Sequence, residues 1–196
     1  MPHHRETAPN FRLRHWASRL VLLVAGVSVV ATSQVRSADV FSAPYTGQPV
    51  TLTAEAPRVT LPLVVGVTAS KSPDKQAEAL MRVKLTVRWT PEDPSQTKAG
   101  PILRASLLGN GTQLSGPEAA TSPLVAGQPL PMDVLVSHSR NCELGKRCQW
   151  TSDLRLELES QGAAGTVEVA WTATAQAHVV GTSSTPEGFT VTVSEP

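Results

Sequence analysis

The stretch Met81-Arg-Val-Lys-Leu-Thr-Val-Arg-Trp-Thr90 decides the fold class. Met81, Val83, Leu85, Val87 and Trp89 fall in one phase; Arg82, Lys84, Thr86, Arg88 and Thr90 fall in the other. Apolar and polar side chains that alternate with a period of two belong to a β-strand with one face in a core and one in water. An amphipathic helix would need a period near 3.6.

The same reading extends along the chain. Strand patterns recur in Pro49–Ala54, Arg58–Ala69, Ile102–Gly109, Pro131–Ser139, Gln149–Ser160, Thr166–Val180 and Phe189–Val193. Between them lie turn-forming segments such as Pro91–Pro101, Asn110-Gly111, Gln161–Gly165 and Gly181–Gly188. Ser70–Leu80 is polar, with room for one helical turn, and residues 111–130 read as loop with one short strand at most. We expect an all-β protein: an antiparallel β-sandwich of immunoglobulin-like or jelly-roll type with about 8–10 strands. Trp89, Trp150 and Trp171 stand in the apolar phase of their strands and are expected in the core, which leaves Phe41, Tyr45 and Phe189 as the remaining aromatics of the sandwich.

The N-terminus is of a different kind. Arg5, Arg12, Arg14 and Arg19 precede a 12-residue apolar run, Leu20–Ala31, and then a small-residue stretch, Thr32–Val40. This is the layout of a secretory signal peptide. The run is short of the roughly 20 residues of a membrane-spanning helix. We assign residues 1–38 to the signal, with cleavage between about 33 and 38, residues 39–48 to a flexible leader, and residues 49–196 to a single sandwich domain. No membrane span is expected after signal removal, and the protein is placed in the periplasm, at the cell surface or outside the cell. Residues 39–196 carry 12 Lys and Arg against 15 Asp and Glu, a net charge of −3 with the signs interspersed. Nucleic acid, which requires a clustered basic face, is not an expected partner.

The only two cysteines, Cys142 and Cys148, lie in Arg140–Trp150. An antiparallel hairpin that opposes them also opposes Val136 to Leu154, Val134 to Leu156 and Met132 to Leu158, since opposed positions share a constant sum. It sets Arg140 against Trp150 and, unfavourably, Asp133 against Glu157. The expected structure is a disulfide-stapled hairpin, permitted by export to an oxidising compartment and contributing roughly 2 kcal/mol. A metal centre would need further ligands, and a redox pair usually has C-x-x-C spacing. The enclosed residues Glu143, Leu144, Gly145, Lys146 and Arg147 form a candidate binding loop, whose basic tip suits a trypsin-like protease.

No nucleophile-elbow, zinc-protease, phosphate-loop or EF-hand pattern is present. Two histidines remain after the signal: His138, in the buried phase of its strand, and His178, in the polar phase and expected in solvent. No cofactor is implied. The expected role is that of an exported, non-catalytic binding or structural module with an unknown protein or polysaccharide partner. Three alternatives stand beside it. The protein could be an inhibitor presenting residues 143–147, or a hydrolase whose active site assembles from distant strands. It could also be a strand-exchanging surface-polymer subunit: its alternating end, Gly188–Val193, resembles that of fimbrial subunits, although the close cysteines and the missing terminal tyrosine depart from their pattern.

Overall fold

A computed structural model describes residues 36–70, 75–95, 99–109, 118–139 and 148–196. These residues form strands β1 (Val40–Phe41), β2 (Tyr45–Thr46), β3 (Val50–Leu52), β4 (Arg58–Thr68), β5 (Ala77–Pro91), β6 (Ile102–Gly109), β7 (Ala119–Ala120), β8 (Leu130–His138), β9 (Cys148–Glu159), β10 (Gly165–Val179) and β11 (Thr190–Ser194). The protein is all-β, and no helix occurs among the described residues. The eleven strands exceed the eight to ten expected because four of them are rungs of two or three residues.

The alternation that opened the sequence reading is carried into the structure. Met81, Val83, Leu85, Val87 and Trp89 are buried, while Arg82, Lys84, Thr86, Arg88 and Thr90 are exposed. The pattern starts earlier than expected, because Ala77–Leu80 continues β5 instead of making a helical turn. Ala77 and Ala79 are buried in phase with Met81, so strand geometry places both methyl groups in the core.

Two antiparallel sheets result. The first has the order β1-β10-β5-β8, with β2 and β3 continuing the β1 side of β10; the second has the order β11-β4-β9-β6-β7. The inward faces of both sheets contribute to one hydrophobic core, which includes Leu63, Val65, Leu154 and Leu156 from the second sheet and Met81, Val83, Val134, Val169 and Trp171 from the first.

This arrangement overturns the expected β8–β9 hairpin. β8 pairs with β5, and β9 lies between β4 and β6 in the other sheet. The physical reason is visible in the charges. The hairpin would have set Asp133 against Glu157, whereas the observed ladders set Lys84 opposite Asp133, and Arg58 and Arg104 opposite Glu157. Each carboxylate thereby gains a cationic neighbour. The inward phases of the two strands are nevertheless those expected, because residues that face each other across a core share a phase as residues across a ladder do. His138 and Ser152, a pair with the hairpin's own position sum, do meet, but through the core.

The segment expected to be a flexible leader is instead laid along β10. Val40 and Phe41 oppose Ala177 and Gln176; Tyr45 and Thr46 oppose Ala173 and Thr172; Val50–Leu52 oppose Val169–Val167. Two buried serines lock it there. Ser42 donates its N–H to the Ala175 carbonyl at 2.8 Å, and its Oγ accepts the Ala175 N–H at 3.0 Å. Ser37 does the same with Val179, both bonds at 2.9 Å. The hydroxyl replaces the carbonyl that a regular ladder would supply, so an irregular strap still satisfies the edge of β10.

Gly47 is the tightest point of this strap. A Cβ there would fall onto the Trp171 indole, whose Nε1 donates to the Gln48 carbonyl at 3.0 Å and whose ring lies 5.8 Å from that of Tyr45. Gly47→Val is expected to cost about 1–3 kcal/mol by overpacking and to expose the strap to protease around Gly47. Urea unfolding combined with limited proteolysis checks this; a variant as stable and as resistant as the parent contradicts the contact.

Candidate functional site

Of the residues singled out in the sequence, Cys142 and Glu143, Leu144, Gly145, Lys146 and Arg147 lie outside the described residues. Cys148 is buried at the start of β9, and no cysteine among the described residues is free.

His138 ends β8 with its ring in the core. It stacks on Trp150, with centroids 5.5 Å apart and planes 18° from parallel, and its Nε2 lies 3.2 Å from the Ser152 hydroxyl. A serine beside a histidine is the start of a nucleophilic site, but the surroundings decide its use. Ser152 is fully buried, and His138 is 3% exposed. Burial pushes the imidazole pKa down to about 4, which keeps the ring neutral at ordinary pH. A substrate has no path to the Ser152 Oγ, so this pair acts as a satisfied polar contact between the two sheets.

His178, expected in solvent, is largely covered. Its Nδ1 lies 3.0 Å from Asp39 Oδ1 and its Nε2 lies 3.5 Å from Glu78 Oε2. Asp39 belongs to the strap and Glu78 to β5, so the histidine bridges both neighbours of β10. The polar phase was read correctly; the carboxylates arriving from other strands were not visible in the local pattern. No group of three or more His, Cys, Asp or Glu side chains set to hold a metal occurs among the described residues.

The feature with the geometry of a binding site lies on the outer face of the first sheet. A groove of about 340 Å³ is lined by Phe41 and Pro44 from the strap, by Leu80, Arg82 and Lys84 from β5, and by Thr172, Thr174 and Gln176 from β10. The β5–β10 register builds it rung by rung: Leu80 opposes Gln176, Arg82 opposes Thr174 and Lys84 opposes Thr172. Phe41 closes one end. It is 68% exposed, one of two large apolar side chains among the described residues left open to water.

The electrostatics set this groove apart. Among the described residues, neither Arg82 nor Lys84 has a carboxylate in salt-bridge contact; Asp133 stands opposite Lys84 on β8 without forming one. On the second sheet two of the cations are neutralised in place. Arg58 pairs with Glu157, and Arg104 pairs with Glu118 and Glu159, which raises the Arg104 pKa further. A smaller depression of about 120 Å³ there mixes Arg104 and Arg155 with Glu118 and Glu157. Among the described residues, the groove on the first sheet has two cations and no acid in its lining. The signal for it was present in the wet phase of β5, which carries Arg82, Lys84 and Arg88 and no acid from residue 82 to residue 90. Phe41 was missed because its segment reads as unstructured.

No protein-family model matches the chain, and no curated protein matches it. Among solved structures, the chain is similar to structures of infectious bursal disease virus. For the Gt strain the TM-score is 0.30 with 17% identity, covering 82% of this chain and 39% of the viral chain. For the Gx strain the TM-score is 0.27 with 14% identity, covering 73% and 39%. The chain thus spans well under half the length of the chains it matches.

Proposed function

We propose that the protein is an exported, non-catalytic binding module, a β-sandwich of jelly-roll type that holds its ligand on the outer face of the first sheet. The jelly-roll reading is supported by connectivity. Apart from the short strap strands and the step from β6 to β7, each strand is followed by one in the opposite sheet, and the orders (β1–β3)-β10-β5-β8 and β4-β9-β6-β7 are those of an eight-stranded roll, with β11 added beside β4. The fold carries no function by itself. The observation that carries the functional reading is the groove beneath Phe41, where an exposed aromatic, two cations without a salt bridge among the described residues and a row of hydroxyl and amide groups converge.

Affinity electrophoresis of the exported chain against a panel of soluble polysaccharides tests this reading. Retardation by at least one polymer is expected, and Phe41→Ala should weaken it about tenfold, equivalent to about 1.4 kcal/mol. Uniform mobility across the panel, or retardation indifferent to Phe41→Ala, defeats it. So does cleavage of the polymer.

Export and a Cys142–Cys148 disulfide belong to the same proposal. Cys142 is the only other cysteine available to Cys148. The disulfide would close the connection that carries the chain from β8 in one sheet to β9 in the other. The strap also narrows the processing site. Arg36 bridges to Val180, and Ser37 is doubly bonded to Val179. The mature chain is therefore expected to begin at Gln34, after Ala31-Thr32-Ser33, so as to retain both. Intact-mass measurement should give that start and a mass lower by two hydrogens, recovered on reduction. A start at Ala38 or Asp39 contradicts the processing site, and two free thiols contradict the disulfide.

A further inference from the structure

We infer that the groove takes a polyanionic polysaccharide, an extended sugar chain bearing carboxylate or sulfate groups; this rests on the binding-module reading above. Three observations narrow the ligand class. First, among the described residues the lining carries two cations and no acid, whereas Arg58 and Arg104 on the second sheet each hold carboxylates. Arg82 and Lys84 are two positions apart on one strand, so their charged groups rise from the same face about 7 Å apart along it. That is a line of positive charge, which suits an anionic chain better than a single ion.

Second, beside the apolar Phe41, Pro44, Leu80 and Ala175, the lining carries hydroxyl and amide groups. Thr172, Thr174 and Gln176 form a row parallel to the cations, on the neighbouring strand. Such groups both donate and accept hydrogen bonds, as the alcohols of a sugar ring do. Phe41 at the end of the row offers a flat apolar surface for the C–H face of a pyranose.

Third, the backbone argues against a peptide ligand. Acidic peptides commonly dock as an added strand on an open sheet edge. At the groove, β10 lies between the strap and β5, and β5 lies between β10 and β8, so no open edge is offered there. The ligand must be recognised by side chains across the face of paired strands. The residue pattern also departs from nucleic-acid sites, where several aromatic platforms follow successive bases; one aromatic is present here.

Calorimetry with matched polymer pairs tests the inference on the whole exported protein. The anionic probes are polygalacturonate and dextran sulfate. Their neutral counterparts are the fully methyl-esterified galacturonan and unmodified dextran. Binding to at least one anionic polymer and to neither neutral counterpart is expected. Arg82→Gln with Lys84→Gln should weaken it by tenfold or more, and so should raising salt from 0.05 to 0.5 M, which shortens the screening length to a few ångströms. Both side chains are exposed, so the double variant is expected to keep the parent's melting temperature. Which anionic polymer binds separates carboxylate from sulfate recognition. Binding to a neutral counterpart that still depends on Phe41 overturns the inference and leaves the binding module standing. Anionic binding unchanged in the double variant also overturns it, by moving the charge contact elsewhere. Silence from all four polymers overturns it as well, and the broader polysaccharide panel then decides the module reading separately.

Discussion

Trp150→Ala is expected to remove about 3–5 kcal/mol of unfolding free energy, the usual cost of deleting a large aromatic from a packed core. The site justifies the upper half of that range. Trp150 lies on β9, the central strand of the second sheet, opposite Val65 of β4. It is 9% exposed and stacks on the His138 ring of the other sheet. Its removal opens a cavity between the sheets and uncovers a buried imidazole. Since a domain of this size has a total stability of about 5–15 kcal/mol, the loss is a large share of the whole. Equilibrium urea unfolding should show a lower midpoint with little change in slope. Trp150→Phe, which keeps an aromatic face for His138, should lose much less. A loss below about 1 kcal/mol for the alanine variant would show that Trp150 does not bridge the two sheets.

That prediction depends on a distinction the sequence could not make. Strict alternation reports which side chains of a strand are buried, and it did so for β5, β8, β9 and β10. It is silent about which strand lies beside which. Consecutive strands are usually neighbours in one sheet, and the hairpin through Cys142 and Cys148 followed that tendency. Here the chain changes sheet after β8, so Val136 and Leu154 share an inward phase while belonging to opposite walls of the core. The one local clue was the conflict between Asp133 and Glu157. It argues against the hairpin register; the partners found, Lys84 and Arg58, lie on strands that the conflict does not identify.

The candidate groove was legible in half. Its cations stand in the wet phase of the clearest strand in the chain. Its other wall is the outward phase of β10, also a clear strand. What could not be read was their adjacency: β5 and β10 are separated by more than seventy residues, yet they form an uninterrupted fifteen-residue ladder. The strap was the harder part. Segments of two or three residues broken by Pro44, Gly47 and Pro49 carry no periodicity, and their order comes from bonds to β10 that only the folded sheet can supply. Phe41 then has a defined place next to Gln176, where composition alone left it unassigned.

The buried histidine makes the stability of the protein depend on pH in a defined direction. Burial lowers the His138 pKa to about 4, from a value of about 6.5 in the unfolded chain. Between these values the unfolded state binds the proton and the folded state does not, so stability rises with pH through this window. The contribution is fully present above pH 6.5, is lost as pH falls toward 4, and falls no further below that. At 1.36 kcal/mol per pKa unit, the loss is about 3 kcal/mol. The Ser152 hydroxyl does not offset it, since a single neutral hydrogen bond at 3.2 Å cannot replace the hydration of an imidazolium. Among the described residues, the Trp150 ring stacks on it and Ala79 lies opposite on the adjoining strand, neither of which carries charge. His138→Gln retains a polar partner for Ser152 and removes the titration. Urea unfolding at pH 7, 5.5 and 4.5 should therefore show the parent losing stability faster than His138→Gln, with the gap changing by about 2.4 kcal/mol between pH 7 and pH 4.5. Carboxylates that titrate in the same range act on both proteins and cancel in the difference. Parallel curves for parent and variant would mean that His138 is protonated as readily in the fold as outside it, and would place its ring in contact with water.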